Sequence, residues 1–143
     1  KGKPVWLWNL VDLERIKWEG PDALTPGKHT VEFDFKYDGL GLGTLAFNNM
    51  SGIGRPGTGT LKVDGKVVAS KTMPKTLPIT LQWDESFDIG SDTLTGVNDA
   101  DYKPPFALTA KLNKLTIKVD RPQLSPADIK NLEAAQRNNK ASE

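Results

Sequence analysis

Six carboxylates crowd one short stretch: Asp84, Glu85, Asp88, Asp92, Asp99 and Asp101, with Asn98 among them. Ca²⁺ takes six to eight oxygen ligands, and clustered carboxylates with loop carbonyls can supply them. The spacing is not that of an EF-hand. Asp and Asn also bond their own backbone in turns, so the same residues can cap a solvated loop. A Ca²⁺ site and a capped loop are therefore the two readings of this stretch. A carboxylate pair could also serve glycoside hydrolysis, but nothing in the spacing singles one pair out.

The second group able to do chemistry is the four tryptophans, Trp6, Trp8, Trp18 and Trp83. An indole face can stack on a sugar ring, and it can equally fill a core or an interdomain contact. Trp6 and Trp8 fall on one side of an extended strand, opposite Val5 and Leu7. One of those sides belongs to the core. The other has to be covered by a second sheet, a neighbouring domain or a ligand.

Other chemistry has little to build on. His29 is the only histidine, so neither a catalytic triad nor a histidine-rich metal site can form around it. With no cysteine there are no disulfides and no thiol nucleophile. Gly39-Leu40-Gly41-Leu42-Gly43 opens no helix and lacks the lysine of a phosphate-binding loop. Asn49-Met50-Ser51 fits the N-glycosylation pattern, which has meaning only in a eukaryotic secretory pathway.

Composition narrows the class. At 143 residues, with 37% hydrophobic and 26% charged residues, the chain has the profile of one globular domain with a core of its own. A formal net charge of +1 gives no electrostatic footprint for nucleic acid or an anionic membrane, so neither is expected as a partner. No apolar run approaches the roughly 20 residues needed to span a bilayer, and no signal-peptide pattern opens the chain. The first residue is Lys, which suits an internal fragment or a processed chain.

The elements that must position these groups read as strands. Thirteen glycines and ten prolines punctuate short runs of alternating hydrophobicity, the pattern of a sandwich or barrel. Strands are expected at residues 4–9, 13–18, 28–37, 58–64, 66–71, 78–83, 106–110 and 112–119. In 28–37, Val31, Phe33, Phe35 and Tyr37 share the inner face, and Glu32, Asp34 and Lys36 the outer. In the last strand Leu115, Ile117 and Val119 are expected to face in. Asp64-Gly65 supplies the positive φ angles of a two-residue hairpin turn. Ser125-Pro126-Ala127-Asp128 is a helix start, with an N-cap, a proline at the first helical position and an acid at the third. Ile129, Leu132 and Ala135 follow at helical spacing. Two long loops, 39–57 and 84–105, remain. The expected fold is an all-β, two-sheet antiparallel sandwich of jelly-roll or lectin-like type over residues 1–122. A short C-terminal helix and a frayed tail would occupy 123–143.

Four pieces in order carry a family resemblance. They are Gly27-Lys28-His29-Thr30-Val31 leading to Tyr37-Asp38-Gly39, the hairpin of residues 57–71, Phe87-Asp88-Ile89-Gly90-Ser91-Asp92-Thr93, and the run from Pro105 to Ile117. Together the chain resembles the C-terminal β-domain of long bacterial arylsulfatase-type proteins, over residues 2–119. It departs from that pattern where residues 44–56 lengthen the loop after Tyr-Asp-Gly. The resemblance implies a formylglycine-dependent parent enzyme whose nucleophile comes from a Cys/Ser-x-Pro-x-Arg motif beside Ca²⁺. Arg15, Arg55, Arg121 and Arg137 are the only arginines, and none closes that motif. The resemblance therefore implies a non-catalytic accessory domain, with a sulfatase catalytic domain preceding it as partner. It would support that domain, an oligomer or the substrate cleft. A periplasmic or secreted parent is compatible with it. The alternative is a glycan-binding module with the tryptophans as its platform.

Overall fold

A computed structural model describes residues 2–38, 56–76 and 87–120, and part of 125–137. The described architecture is β-rich, with seven strands in three small antiparallel sheets. Strands β1 (Val5–Leu10) and β2 (Glu14–Glu19) form a hairpin. Strands β3 (Val31–Tyr37), β4 (Gly57–Val63) and β5 (Lys66–Met73) form a three-stranded sheet with β4 in the centre. Strands β6 (Ser91–Asp92) and β7 (Phe106–Ala107) make a two-residue ladder.

Turn chemistry sets the registers. Asp64 and Gly65 have φ of 49° and 81°, so the β4–β5 turn has the positive φ pair that Asp-Gly tolerates. A bulge between Leu61 and Lys62 then shifts the β4–β5 register. The β1–β2 turn also needs positive φ, at Val11 (38°) and Asp12 (63°). A β-branched residue rarely takes that conformation, so Val11 is strained. Asn9 holds the turn closed: its Oδ1 accepts the Asp12 backbone N–H at 2.9 Å, and its Nδ2 donates to Asp12 Oδ1 at 3.1 Å.

The core lies where the β1–β2 hairpin packs on the three-stranded sheet. Trp6 pairs with Trp18, and Trp8 with Ile16, so all four side chains share the hairpin's inner side. Trp18, Leu61 and Met73 are buried, and Trp8, Ile16, Phe33, Val68 and Ala69 pack around them. On β4 the alternation runs Gly57, Gly59, Leu61 inward and Thr58, Thr60, Lys62 outward. The two glycines make room for rings. A Cβ on Gly59 would lie 2.6 Å from Phe33 Cζ and 2.7 Å from Trp18 Cζ2. The buried Trp18 indole donates its Nε1–H to the Gly59 carbonyl at 2.9 Å.

Three expectations are corrected. The inward face of β3 is only partly covered: Phe33 and Tyr37 are half-buried, whereas Val31 and Phe35 are exposed. The strand expected at 106–110 is reduced to Phe106 and Ala107. The strand expected at 112–119 does not form, and Leu115, Ile117 and Val119 are exposed rather than inward. The reason is that β-propensity is a preference for a pleated, half-buried surface, and no neighbouring strand supplies one here among the described residues. The strand expected at 78–83 and nearly all of the 39–57 loop lie outside the described residues. In the C-terminal segment the backbone N–H of Ile129 donates to the Ser125 carbonyl at 3.1 Å.

Candidate docking surface

Three of the four tryptophans fall on one layer in graded environments. Trp18 is fully buried, Trp8 is half-buried against the core, and Trp6 is 47% exposed. The Trp6 ring stacks on Phe33 with centroids 4.3 Å apart and planes 8° apart. Phe33 in turn meets Trp18 edge-on at 5.1 Å. Trp6 is thus the outermost ring of a stack that reaches into the core, with one face against Phe33. A large aromatic surface left in water at the edge of a core is the feature that an intermolecular or interdomain contact covers. Trp83 lies outside the described residues.

The acidic stretch is organised by turns and by cations from the hairpin. Asp84 and Glu85 lie outside the described residues. Asp88 Oδ2 accepts from the Thr93 N–H at 3.1 Å and from its hydroxyl at 3.2 Å. Asp92 accepts the Tyr102 hydroxyl at 2.5 Å. Burial, then that carboxylate, raises the Tyr102 phenol above its ordinary value. Asp99 meets Arg15 at 3.0 Å, and Asp101 meets Lys17 at 3.3 Å. Asn98 Nδ2 also donates to Asp101 at 2.6 Å. The bond from Lys17 holds Asp101 below the usual carboxylate range, with Asn98 adding to it. Asn9 ties the same loop to the hairpin by donating to the Val97 carbonyl at 2.9 Å. Among the described residues no three His, Asp or Glu side chains converge as a metal site would require.

Arg15, Lys17 and Asn9 were not legible as a unit before the fold was known. Their signal is the alternation Glu14-Arg15-Ile16-Lys17-Trp18-Glu19, which sets both cations on the side opposite Trp18. Lys17 also bonds Glu19 at 2.6 Å, so it bridges two carboxylates.

Along β3 and β4, Asp34, Phe35, Lys36, Thr58 and Thr60 line an open recess of about 360 Å³. Lys62 spans its acidic side, meeting Glu32 at 2.7 Å and Asp34 at 3.1 Å. Thr60 and Ser70 place their hydroxyls 3.3 Å apart across β4 and β5. Among the described residues no tryptophan lines this recess.

A run of exposed apolar side chains follows β7. Leu108, Leu112, Leu115, Ile117 and Val119 all face solvent, with Val119 at 88%. Residues 111–120 contain no turn, bend or helix. Among the described residues no helix is long and apolar enough to cross a membrane. No protein-family model, no curated protein and no solved structure matches the chain.

Proposed function

We propose that this chain is a non-catalytic accessory domain of an arylsulfatase-type sulfuric ester hydrolase, and that it packs on the catalytic domain through the face carrying Trp6. The ordered pieces at residues 27–39, 57–71, 87–93 and 105–117 support the family assignment. Trp6 carries the docking assignment, because its ring is stacked on Phe33 on one side while nearly half of the residue stays in water. The thin core supports the same reading. Among the described residues only Trp18, Leu61 and Met73 are buried hydrophobics, so much apolar surface is left to be covered. For the whole domain we propose a two-sheet sandwich of jelly-roll type with a C-terminal helix, a reading supported by the hairpin packed on β3–β4–β5.

Two measurements test this reading. The reading frame upstream of Lys1 should encode a Cys/Ser-x-Pro-x-Arg motif, and a frame without one overturns the assignment. In the resulting parent protein, Trp6→Glu should separate the single unfolding transition into two, because it places a charge in the interdomain contact. An unchanged single transition would remove Trp6 from that contact. The purified 143-residue chain should show no turnover of an aryl sulfate above a heat-killed control.

The second reading is a glycan-binding module. Its support is the recess lined by Thr58, Thr60, Asp34 and Lys36, which brings hydroxyls, a carboxylate and an amine together beside Phe35. Titration with sulfated and unsulfated oligosaccharides, followed by amide chemical shifts on β3 and β4, separates it from the first. Saturable shifts confined to those strands would favour the glycan.

A further inference from the structure

The segment after β7 carries the chemistry of a strand, without a partner strand among the described residues. Residues 111–120 have no turn, bend or helix, and no backbone ladder joins them to another strand among the described residues. In an extended chain, alternate residues share a side. Leu115, Ile117 and Val119 then fall on one side, and Lys114, Thr116, Lys118 and Asp120 on the other. An unpaired row of backbone donors and acceptors with an apolar side is a template for pairing with another chain.

The charges select the partner. Antiparallel pairing of this segment with itself keeps both apolar sides together only in registers that match odd residues with odd. One such register sets Leu115 opposite Ile117, but it also sets Lys114 opposite Lys118 twice, and like charges directly opposite destabilise. Moving the partner by two residues removes that conflict. Ile117 then lies on the two-fold axis opposite its own copy, Leu115 faces Val119, Thr116 faces Lys118, and Lys114 faces Asp120. The symmetry repeats each contact, so two Lys–Asp pairs flank an apolar centre. Parallel, in-register pairing would stack Lys114 on Lys114 and Lys118 on Lys118.

We propose that residues 114–120 form an antiparallel strand pair with a second copy of this chain, in the register that opposes Lys114 to Asp120 about a two-fold axis at Ile117. The contact is isologous, so it closes as a dimer rather than growing into a fibre. It needs neither the sulfatase assignment nor the Trp6 face, and it can fail without touching either.

Sedimentation velocity on the purified chain, over a concentration series at low salt, reads the association directly. A concentration-dependent dimer is expected. Lys114→Asp opposes two carboxylates at both ends of the pair and should weaken the dimer about tenfold or more. The exchanged variant, Lys114→Asp with Asp120→Lys, restores opposite charges and should return the association to near its original strength. Both positions are exposed, so circular dichroism should show the same fold in all three proteins. A monomer at every concentration overturns the proposal. So does a dimer that ignores the single change, or one that the exchange fails to restore.

Discussion

The His29 imidazole bridges to the β4–β5 turn with its Nδ1 2.7 Å from Asp64 Oδ2. Its other nitrogen, Nε2, lies 2.8 Å from the Thr25 carbonyl. Both partners are acceptors, and a neutral imidazole has only one N–H to give. The geometry therefore calls for the doubly protonated ring. Asp64 completes the latch by accepting the Thr30 backbone N–H at 2.8 Å, while its own N–H donates to the Thr30 carbonyl at 2.9 Å.

A pH dependence follows from this latch. The Asp64 bond, then the Thr25 carbonyl, raises His29 above its ordinary value of 6.5. A raised histidine stabilises the fold fully below its unfolded value, and that share is lost as pH rises through the folded one. Asp64 moves the other way: the Thr30 N–H and then His29 lower it from 3.8, with Lys66 adding a smaller pull. Its share is present above the unfolded value and is lost as pH falls through the folded one. The melting temperature should therefore be highest between about pH 4 and pH 6.5 for this pair, and should fall on going above neutrality. His29→Asn should flatten the alkaline side of that profile. A wild-type profile flat from pH 6 to pH 9 would contradict the bridged geometry.

Val11 offers a stabilising change. Its φ of 38° places a β-branched residue in the left-handed region, where Asn is tolerated far better. Val11 is also exposed, so its side chain contributes little packing. Val11→Asn should raise stability by about 1 kcal/mol, seen as a higher denaturant midpoint at unchanged slope. A lower midpoint would mean that the Val11 side chain is packed after all.

Local patterns carried much of the described fold. Asp64-Gly65 announced its hairpin because its turn needs only what those two residues provide. The period of two in 5–10 and 31–37 likewise marked real strands. Long-range pairing was less legible. Leu115, Ile117 and Val119 alternate as well as Phe33 and Phe35 do, yet only β3 has a neighbour to pair with among the described residues. Alternation says which side of a strand is apolar, and leaves open what covers it. For the same reason the tryptophans could be placed on one side of β1 but not graded from Trp18 inward to Trp6 outward. The acidic stretch was ambiguous because its cations, Arg15 and Lys17, arrive from the far end of the sequence.

Calcium should leave the described part of that stretch unmoved. Asp99 and Asp101 are held by Arg15 and Lys17, and Asp88 and Asp92 are engaged by Thr93 and Tyr102. A cation would have to displace these partners, and a ligand that binds only the folded state would announce itself by mass action. Neither EDTA nor millimolar Ca²⁺ is expected to shift the melting temperature. A reversible drop on chelation would assign the site to Asp84 and Glu85 together with the acids that follow.

A close fit at Gly59 links the core to the surface. A side-chain carbon there would meet Phe33 Cζ at 2.6 Å and Trp18 Cζ2 and Cε2 at 2.7 and 2.8 Å. Trp18 is fully buried and tied to the Gly59 carbonyl, so its indole has nowhere to move. Phe33 is the ring that can yield, and it carries Trp6 stacked on its far side. Gly59→Ala should therefore cost about 1–3 kcal/mol, the range for overpacking a fitted core. It should also change the environment of the exposed Trp6 indole, read as a shift in its emission or in quenching by iodide. In a Trp18→Phe background the added methyl has a smaller ring to meet, so its cost should shrink, and the difference measures the Gly59–Trp18 coupling. Equal costs in both backgrounds would show that Gly59 is not set by the indole. Unchanged quenching of Trp6 would break the mechanical link between the core stack and the proposed docking face.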